Sequence, residues 1–300
     1  MLIHHIDIFS TVYVVNIAKA LEKIINELNI TTNLHIREIT NEDIRVCVND
    51  SNRYMFLFCP QWVYPTNINP LPKEKYFFYQ LEQFDKSNSP HIFNPFVFLL
   101  MNNSKHIFDY SNINLKYYNE KQINISRKKI SLLIPPVVNV NVNLNNDNKK
   151  PIDVLFCGCL SSPRRQFILE SLKKNGINVT IVNNIFGNNL TTLIKKSKIF
   201  LNIRFSDSSI LETCRLHEAI MSTDTYIVSE KPGSTLDPVD QYSVRINFID
   251  IITDNTYPLL KTIKTILSLY DVLKPPKFNS LPMTTNIKQS LINVFTPMND

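Results

Sequence analysis

The sequence predicts an α/β protein made of two units, each built on a parallel sheet. Three observations carry that prediction. After Pro151, short apolar runs alternate with segments of helical periodicity, the pattern of βαβ units. Before it, apolar runs of strand length and helical segments also alternate, less regularly. Between the two lies VVNVNVNLNNDNKK, residues 137–150, whose second half holds no core-forming side chain and which ends at Pro151; it reads as an interdomain linker. The expected division is residues 1–137, a linker over 138–150, a second domain over 151–275, and a tail over 276–300 whose helix can pack back on the first domain.

In the first half, Leu2–Ile8 has strand character. Ser10 is placed to cap a helix carrying Val14, Val15, Ile17, Ala18, Leu21, Ile24, Ile25 and Leu28 at helical spacing. Leu34–Ile39 alternates like a strand, and Tyr54–Phe58 and Tyr76–Tyr79 are aromatic-rich runs of buried-strand length. Ile107–Tyr110 is a short strand, Ser111 caps a helix through Asn119, and Lys129–Ile134 is a strand stopped by Pro135 and Pro136. In the second half the expected order is strand Ile152–Cys157, helix Pro163–Lys174, strand Asn178–Val182, helix Leu190–Lys196, strand Ile199–Ile203, helix Leu211–Met221, strand Thr225–Ser229 and helix Tyr257–Leu273. A last helix is expected around Thr285–Val294.

Composition narrows the function. The 300 residues are 44% hydrophobic and 19% charged, enough apolar material for a sizeable core. There are 4 glycines where average usage gives about 21, which excludes collagen-like, glycine-linker and propeller architectures. Net charge is +6, a bias toward anionic ligands. The basic residues are scattered, and no zinc-finger spacing or RNA-binding aromatic motif occurs, so nucleic acid is not an expected partner. Five cysteines at irregular spacing read as free thiols in a reducing compartment, the cytoplasm. The apolar run 95–101 falls short of the roughly 20 residues a transmembrane helix needs, and residues 1–10 lack a signal-peptide pattern.

Ligands of open α/β sheets bind beyond the carboxyl ends of the strands, so the loops there hold the candidate chemistry. In FCGCLSSPRR, Gly158 allows close backbone approach, Ser161 and Ser162 lead into a helix with Ser162 as N-cap, and Pro163 sits at its first position. Arg164 and Arg165 then stand in the first turn, where cations oppose the helix dipole. They point either into solvent or onto a bound phosphate; in the second case, removing both should abolish nucleotide binding and leave the melting temperature nearly unchanged. In NIRFSDSSILETCR, Asn202 and Arg204 end a strand, and Glu212 and Arg215 share a helix face. They form either a surface ion pair or a carboxylate for ribose and a guanidinium for diphosphate, with Glu218 as the alternative carboxylate. Glu230, Lys231 and Gly233 follow the next strand. In YQLEQF, Gln80, Glu82 and Gln83 end an apolar strand and either cap it or face a ligand. No Ser-His-Asp arrangement, HExxH or metal cluster is visible.

Six segments occur in an order that resembles a family of GT-B-fold glycosyltransferases with bacterial and giant-virus members. They are YQLEQ (79–83), FDYSNIN (108–114), IPP (134–136), DVLFCG…RRQFILESL (153–172), FGNN…IKKSKIFLNI (186–203) and ETCR…VSE (212–230). The Asn- and Ile-rich composition, 36 and 37 residues, is similar to that of mimivirus-like viruses, for which the location would be host cytoplasm or viral factory. The resemblance implies two Rossmann-like domains with parallel sheets facing an interdomain cleft. It implies a nucleotide-sugar donor on the second domain and a glycan, protein or small-molecule acceptor on the first, near Glu82 and Gln83. By this similarity Arg164, Arg165 and Glu212 are the catalytic candidates, and Gly158, Ser161, Ser162, Asn202, Arg204, Arg215, Glu218 and Glu230 bind the donor. No metal or other cofactor is expected, and a retaining outcome is implied. Two departures stand out. Arg204 occupies a place where the family often has His. In the family's Glu-x7-Glu pattern Glu218 is the second carboxylate, and Ile210 stands where the first would be. A non-catalytic nucleotide-sugar-binding module and a nucleotide-sugar epimerase on the same fold are the alternatives.

Overall fold

Both sheets are parallel throughout, and their strand orders match. The structure is a computed structural model describing residues 3–83, 95–120, 130–137, 150–220, 222, 224–233, 242–243, 245–251, 255–278 and 280–296. The chain divides into Met1–Val138 with Ser280–Asp300, and Asn139–Asn279. Most of the expected linker lies outside the described residues.

The first unit runs β1 (His5–Phe9), α1 (Val15–Asn26), β2 (Thr31–His35), α2 (Asn41–Asn49), β3 (Arg53–Phe58), α3 (Pro60–Val63), β4 (Tyr76–Gln80), α4 (Pro95–Asn103), β5 (His106–Asp109), α5 (Asn112–Glu120) and β6 (Ile130–Leu132). Its sheet order is β2-β1-β3-β4-β5-β6. Because strand side chains alternate between faces, one face of the central strands carries Phe56, Phe77, Tyr79 and Phe108. There Phe56 stacks on Phe108 at 5.5 Å between ring centroids. The other face packs Met55, Leu57, Tyr76 and Phe78 against Val63, Val97 and Met101. The C-terminal helix α10 (Leu281–Phe295) belongs to this unit: the Phe295 and Phe77 ring centroids are 5.0 Å apart, and Lys288 pairs with Glu27, the C-cap of α1, at 2.8 Å.

The second unit runs β7 (Ile152–Cys157), α6 (Pro163–Lys174), β8 (Val179–Val182), α7 (Gly187–Lys195), β9 (Ser197–Asn202), α8 (Thr213–Ile220), β10 (Tyr226–Glu230), β11 (Ile246–Ile249) and α9 (Tyr257–Leu269). The order β8-β7-β9-β10-β11 repeats the 2-1-3-4-5 order of the first unit. In both, the order reverses between the first and third strands, and that switch point opens a crevice at the carboxyl edge.

The expected strand Leu34–Ile39 is replaced by β2 at Thr31–His35. This is an edge strand with one side toward solvent, so its residues are polar and carry little apolar signal; Ile39 instead enters the core, its N–H bonded to Val63 O at 2.8 Å. Ser10 is not the cap of α1. Its hydroxyl donates to Thr11 O at 3.1 Å, and a 3-10 turn over Val12–Val14 comes first. Helices α2, α3 and α4 and strand β11 add to the expected elements. For α2 the signal is legible in hindsight: Thr40 and Asp43 form a capping box.

Candidate functional site

The carboxyl edge of the second sheet gathers four arginines and three carboxylates from the end of β10 and from the loops and helices that follow β7 and β9. The local chain explains how they arrive. Gly158 leaves β7 with its N–H on Val182 O at 3.0 Å. Added there, a Cβ would meet the Arg215 guanidinium at 3.2 Å, so glycine is what allows that guanidinium to lie against the loop. Ser161 bonds the exposed Cys159 thiol at 3.0 Å, and these contacts hold the thiol below its ordinary pKa. Ser162 caps α6 by accepting from Arg165 N at 3.3 Å, and its hydroxyl donates to Phe205 O at 2.6 Å. The cap thus ties the β7 loop to the β9 loop.

Neither Arg164 nor Arg165 points into solvent. Arg164 forks onto Glu230, with Nη1 at 2.7 Å from Oε2 and Nη2 on Oε1, and its Nε reaches Asp207 Oδ1 at 2.9 Å. Arg165 is 1% exposed. It donates to Ile203 O at 2.9 Å, Cys159 O at 3.2 Å and Glu212 Oε1 at 2.6 Å, and lies between the rings of Phe156 and Phe205 at 5.6 and 5.2 Å. Burial pulls its guanidinium below the usual pKa. Carboxylates here do what a bound phosphate was expected to do: they offset two cations at a helix N-terminus. The expectation that losing both arginines spares stability is therefore corrected, because Arg165 is a buried, fully engaged group.

The other candidates complete the network. Arg204 donates from its backbone to Glu230 Oε2 at 3.1 Å, from Nη2 to Glu230 Oε1 at 2.9 Å and from Nη1 to Asp207 O at 2.6 Å; its buried Nε has no partner. Arg215 bonds Glu212 and, at 3.3 Å, Asn202 Oδ1, and Asn202 Nδ2 donates to Ser229 Oγ at 3.0 Å. Gly233 leaves room for Arg204, since a Cβ there would stand 2.9 Å from Nη1. Glu218, on α8 and buried, accepts from Thr191 Oγ1 of α7 at 3.0 Å. Lys231 pairs outward with Asp250 at 2.7 Å. Glu82 and Gln83 belong to the first unit. Nothing in the sequence marks Asp207, Phe156 or Phe205 as part of the network. Asp207 sits in a polar loop that reads as cap-rich, and nothing local marks the two rings as flanking a guanidinium.

Counted by charge, Arg164, Arg165, Arg204 and Arg215 face Asp207, Glu212 and Glu230, leaving one positive charge and one unfilled donor at the switch point of the sheet. That arrangement can hold an anion. Among the described residues no group of three or more His, Cys, Asp or Glu is arranged to hold a metal ion, and no helix is long and apolar enough to cross a membrane.

The fold defines a class. The chain has the GT-B fold, two parallel-sheet α/β domains. An α1,3-fucosyltransferase structure with GDP-fucose aligns over 99% of this chain and 92% of its own, at TM-score 0.51 and 12% identity. The α1,3-fucosyltransferase structure with GDP aligns over the same shares at TM-score 0.52 and 12% identity. In sequence, an uncharacterized protein of Acanthamoeba polyphaga mimivirus is 29% identical over 129 residues, 42% of this chain. Those residues span 13% of that relative's length. No family model matches the chain.

Proposed function

We propose that the protein is a glycosyltransferase that takes a sugar from a nucleoside-diphosphate donor bound by the second unit and passes it to an acceptor bound by the first. The observation that carries this reading is the arginine network at the switch point of the second sheet, with its surplus positive charge and the unfilled Arg204 Nε. A diphosphate leaving group develops negative charge as the glycosidic bond breaks, and preorganised guanidinium donors stabilise it. Arg164, Arg204 and Arg215 are assigned to the diphosphate. Arg165, buried beneath them, holds the loop that follows Gly158. Glu212 accepts from Arg165 and Arg215; by the resemblance Glu218 stands at the family's second carboxylate and is assigned to the ribose hydroxyls. The fucosyltransferase of the same fold was seen with GDP-fucose, and a sugar nucleotide is the donor class proposed here. In this reading the arginines supply the positive charge and transfer needs no metal ion; by resemblance, the configuration is retained.

Calorimetry and product analysis with UDP-, GDP- and dTDP-sugars test the proposal. One donor should bind and be turned over, with no dependence on divalent cations, and Glu218→Gln should weaken the nucleoside as well as the sugar nucleotide. Absence of binding to every nucleotide would overturn it. A second reading has one observation in its favour: Ile210, where the family's first carboxylate would stand, is apolar and buried at 4% exposure. Tight donor binding with neither transfer nor hydrolysis would select a non-catalytic module.

A further inference from the structure

The carboxyl edge of the first sheet holds a second constellation, unlike the arginine network in kind. Trp62 Nε1 and Gln61 Nε2, both on α3, donate to the two carboxylate oxygens of Glu82 at 3.0 Å each. The indole is 46% exposed. Gln80, the last residue of β4, is fully buried, and neither its Oε1 nor its Nε2 has a hydrogen-bond partner; Gln61 Oε1 is likewise buried and unpartnered. The groups are physically linked. Glu82 O accepts from Asn114 Nδ2 at 2.9 Å, Asn114 bonds the Asp109 carboxyl at 3.0 Å, and Asp109 is the cross-strand neighbour of Gln80. Cys59 takes a left-handed backbone, φ 47° and ψ 66°, to turn from β3 straight into α3. That is an uncommon conformation for a residue with a side chain, and it sets α3 against the end of the sheet.

A buried carboxamide without partners is unfavourable, and a methionine or leucine would fill the same space without that penalty. The unfilled groups comprise one donor and two acceptors, all on neutral carboxamides. Their complement is a hydroxyl, which gives and takes a hydrogen bond, rather than a phosphate or an ammonium. A carboxylate beside them accepts from further hydroxyls, and a half-exposed indole offers a flat apolar surface to the C–H face of a sugar ring. We propose that this edge is a carbohydrate-binding site, with Trp62 as the platform and Glu82, Gln61 and Gln80 as the hydroxyl-reading groups. The assignment of its ligand as the acceptor rests on the transferase reading above, and it names that acceptor as a glycan.

Trp62 is the only tryptophan in the chain, so its fluorescence reports on this site alone. The full chain is titrated with gluco-, galacto-, fuco-, rhamno- and N-acetylglucosamine saccharides, as monomers and short oligomers. At least one should shift the emission saturably. Glu82→Gln and Gln80→Met should each weaken that response roughly tenfold or more, while nucleotide affinity measured by calorimetry stays unchanged. Gln80→Met removes unfilled polar groups, so it should fold at least as well as the parent and keeps the test meaningful if Glu82→Gln is unstable. No saturable response to any saccharide, a response undiminished in both variants, or a response only to peptides would overturn the site. A saccharide response without donor binding leaves this site standing and removes the transferase reading instead.

Discussion

The two units share a strand order and differ in what they place at its carboxyl edge. In the second unit the edge is ionic: Glu230 and Glu212 each engage two arginines. In the first it is mostly neutral: carboxamides and an indole surround one carboxylate, and several polar atoms are unfilled. All 4 glycines lie in the second unit, where Gly158 and Gly233 make room for guanidinium groups. One topology thus carries two chemistries: a charged edge in the second unit and a mostly neutral one in the first.

Removing charge from the ionic edge should give the largest effect. Glu230 is 1% exposed and holds Arg164 and Arg204. Glu230→Ala leaves the Arg204 guanidinium without a carboxylate and Arg164 with only the exposed Asp207, so the second unit should lose about 3–5 kcal/mol, seen as a large drop in its denaturation midpoint. A loss below about 1 kcal/mol would show that the network is solvated and breaks the contrast. The neutral edge should respond in the opposite sense. Gln80→Met should stabilise the first unit by about 1–3 kcal/mol, read by chemical denaturation, because it deletes groups whose partners are absent.

A third test is a pH dependence in the first unit. Asp109 is fully buried, and burial pushes its carboxyl up to about 8 against the pull of Ser111 N–H, Asn114 and Tyr118. The folded pKa lies above the unfolded value, so the folded state holds a proton the unfolded chain has lost. Stability from this group is full at acid pH and declines as pH rises between about 4 and 8. Asp109→Asn should flatten that decline, measured as denaturation midpoint against pH.

The second unit was far more legible in the sequence than the first. Strand β7 and helix α6 fall at their expected bounds, because Ser162 and Pro163 punctuate the chain where the helix starts and the βαβ pattern is regular. In the first unit, helix α3 is four residues long, too short to show periodicity, and β2 is a polar edge strand. The site residues were visible as types but not as partners. Arg164 meets Glu230 across 66 residues and Arg165 meets Glu212 across 47, and no local pattern reports such pairings. Gln80 was readable as a polar residue closing an apolar strand, but that its side chain has no partner follows only from packing.

The placement of α10 bears on how the chain is made. The second unit is one uninterrupted stretch, whereas the first needs Ile287, Leu291 and Phe295 to cover α1 and Phe77. During synthesis the second unit can close while the ribosome is still elongating. The first, although begun earlier, stays incompletely covered until α10 emerges. Of the two, the unit made earlier is therefore the later to mature, and its aromatic sheet is the surface that stays uncovered meanwhile.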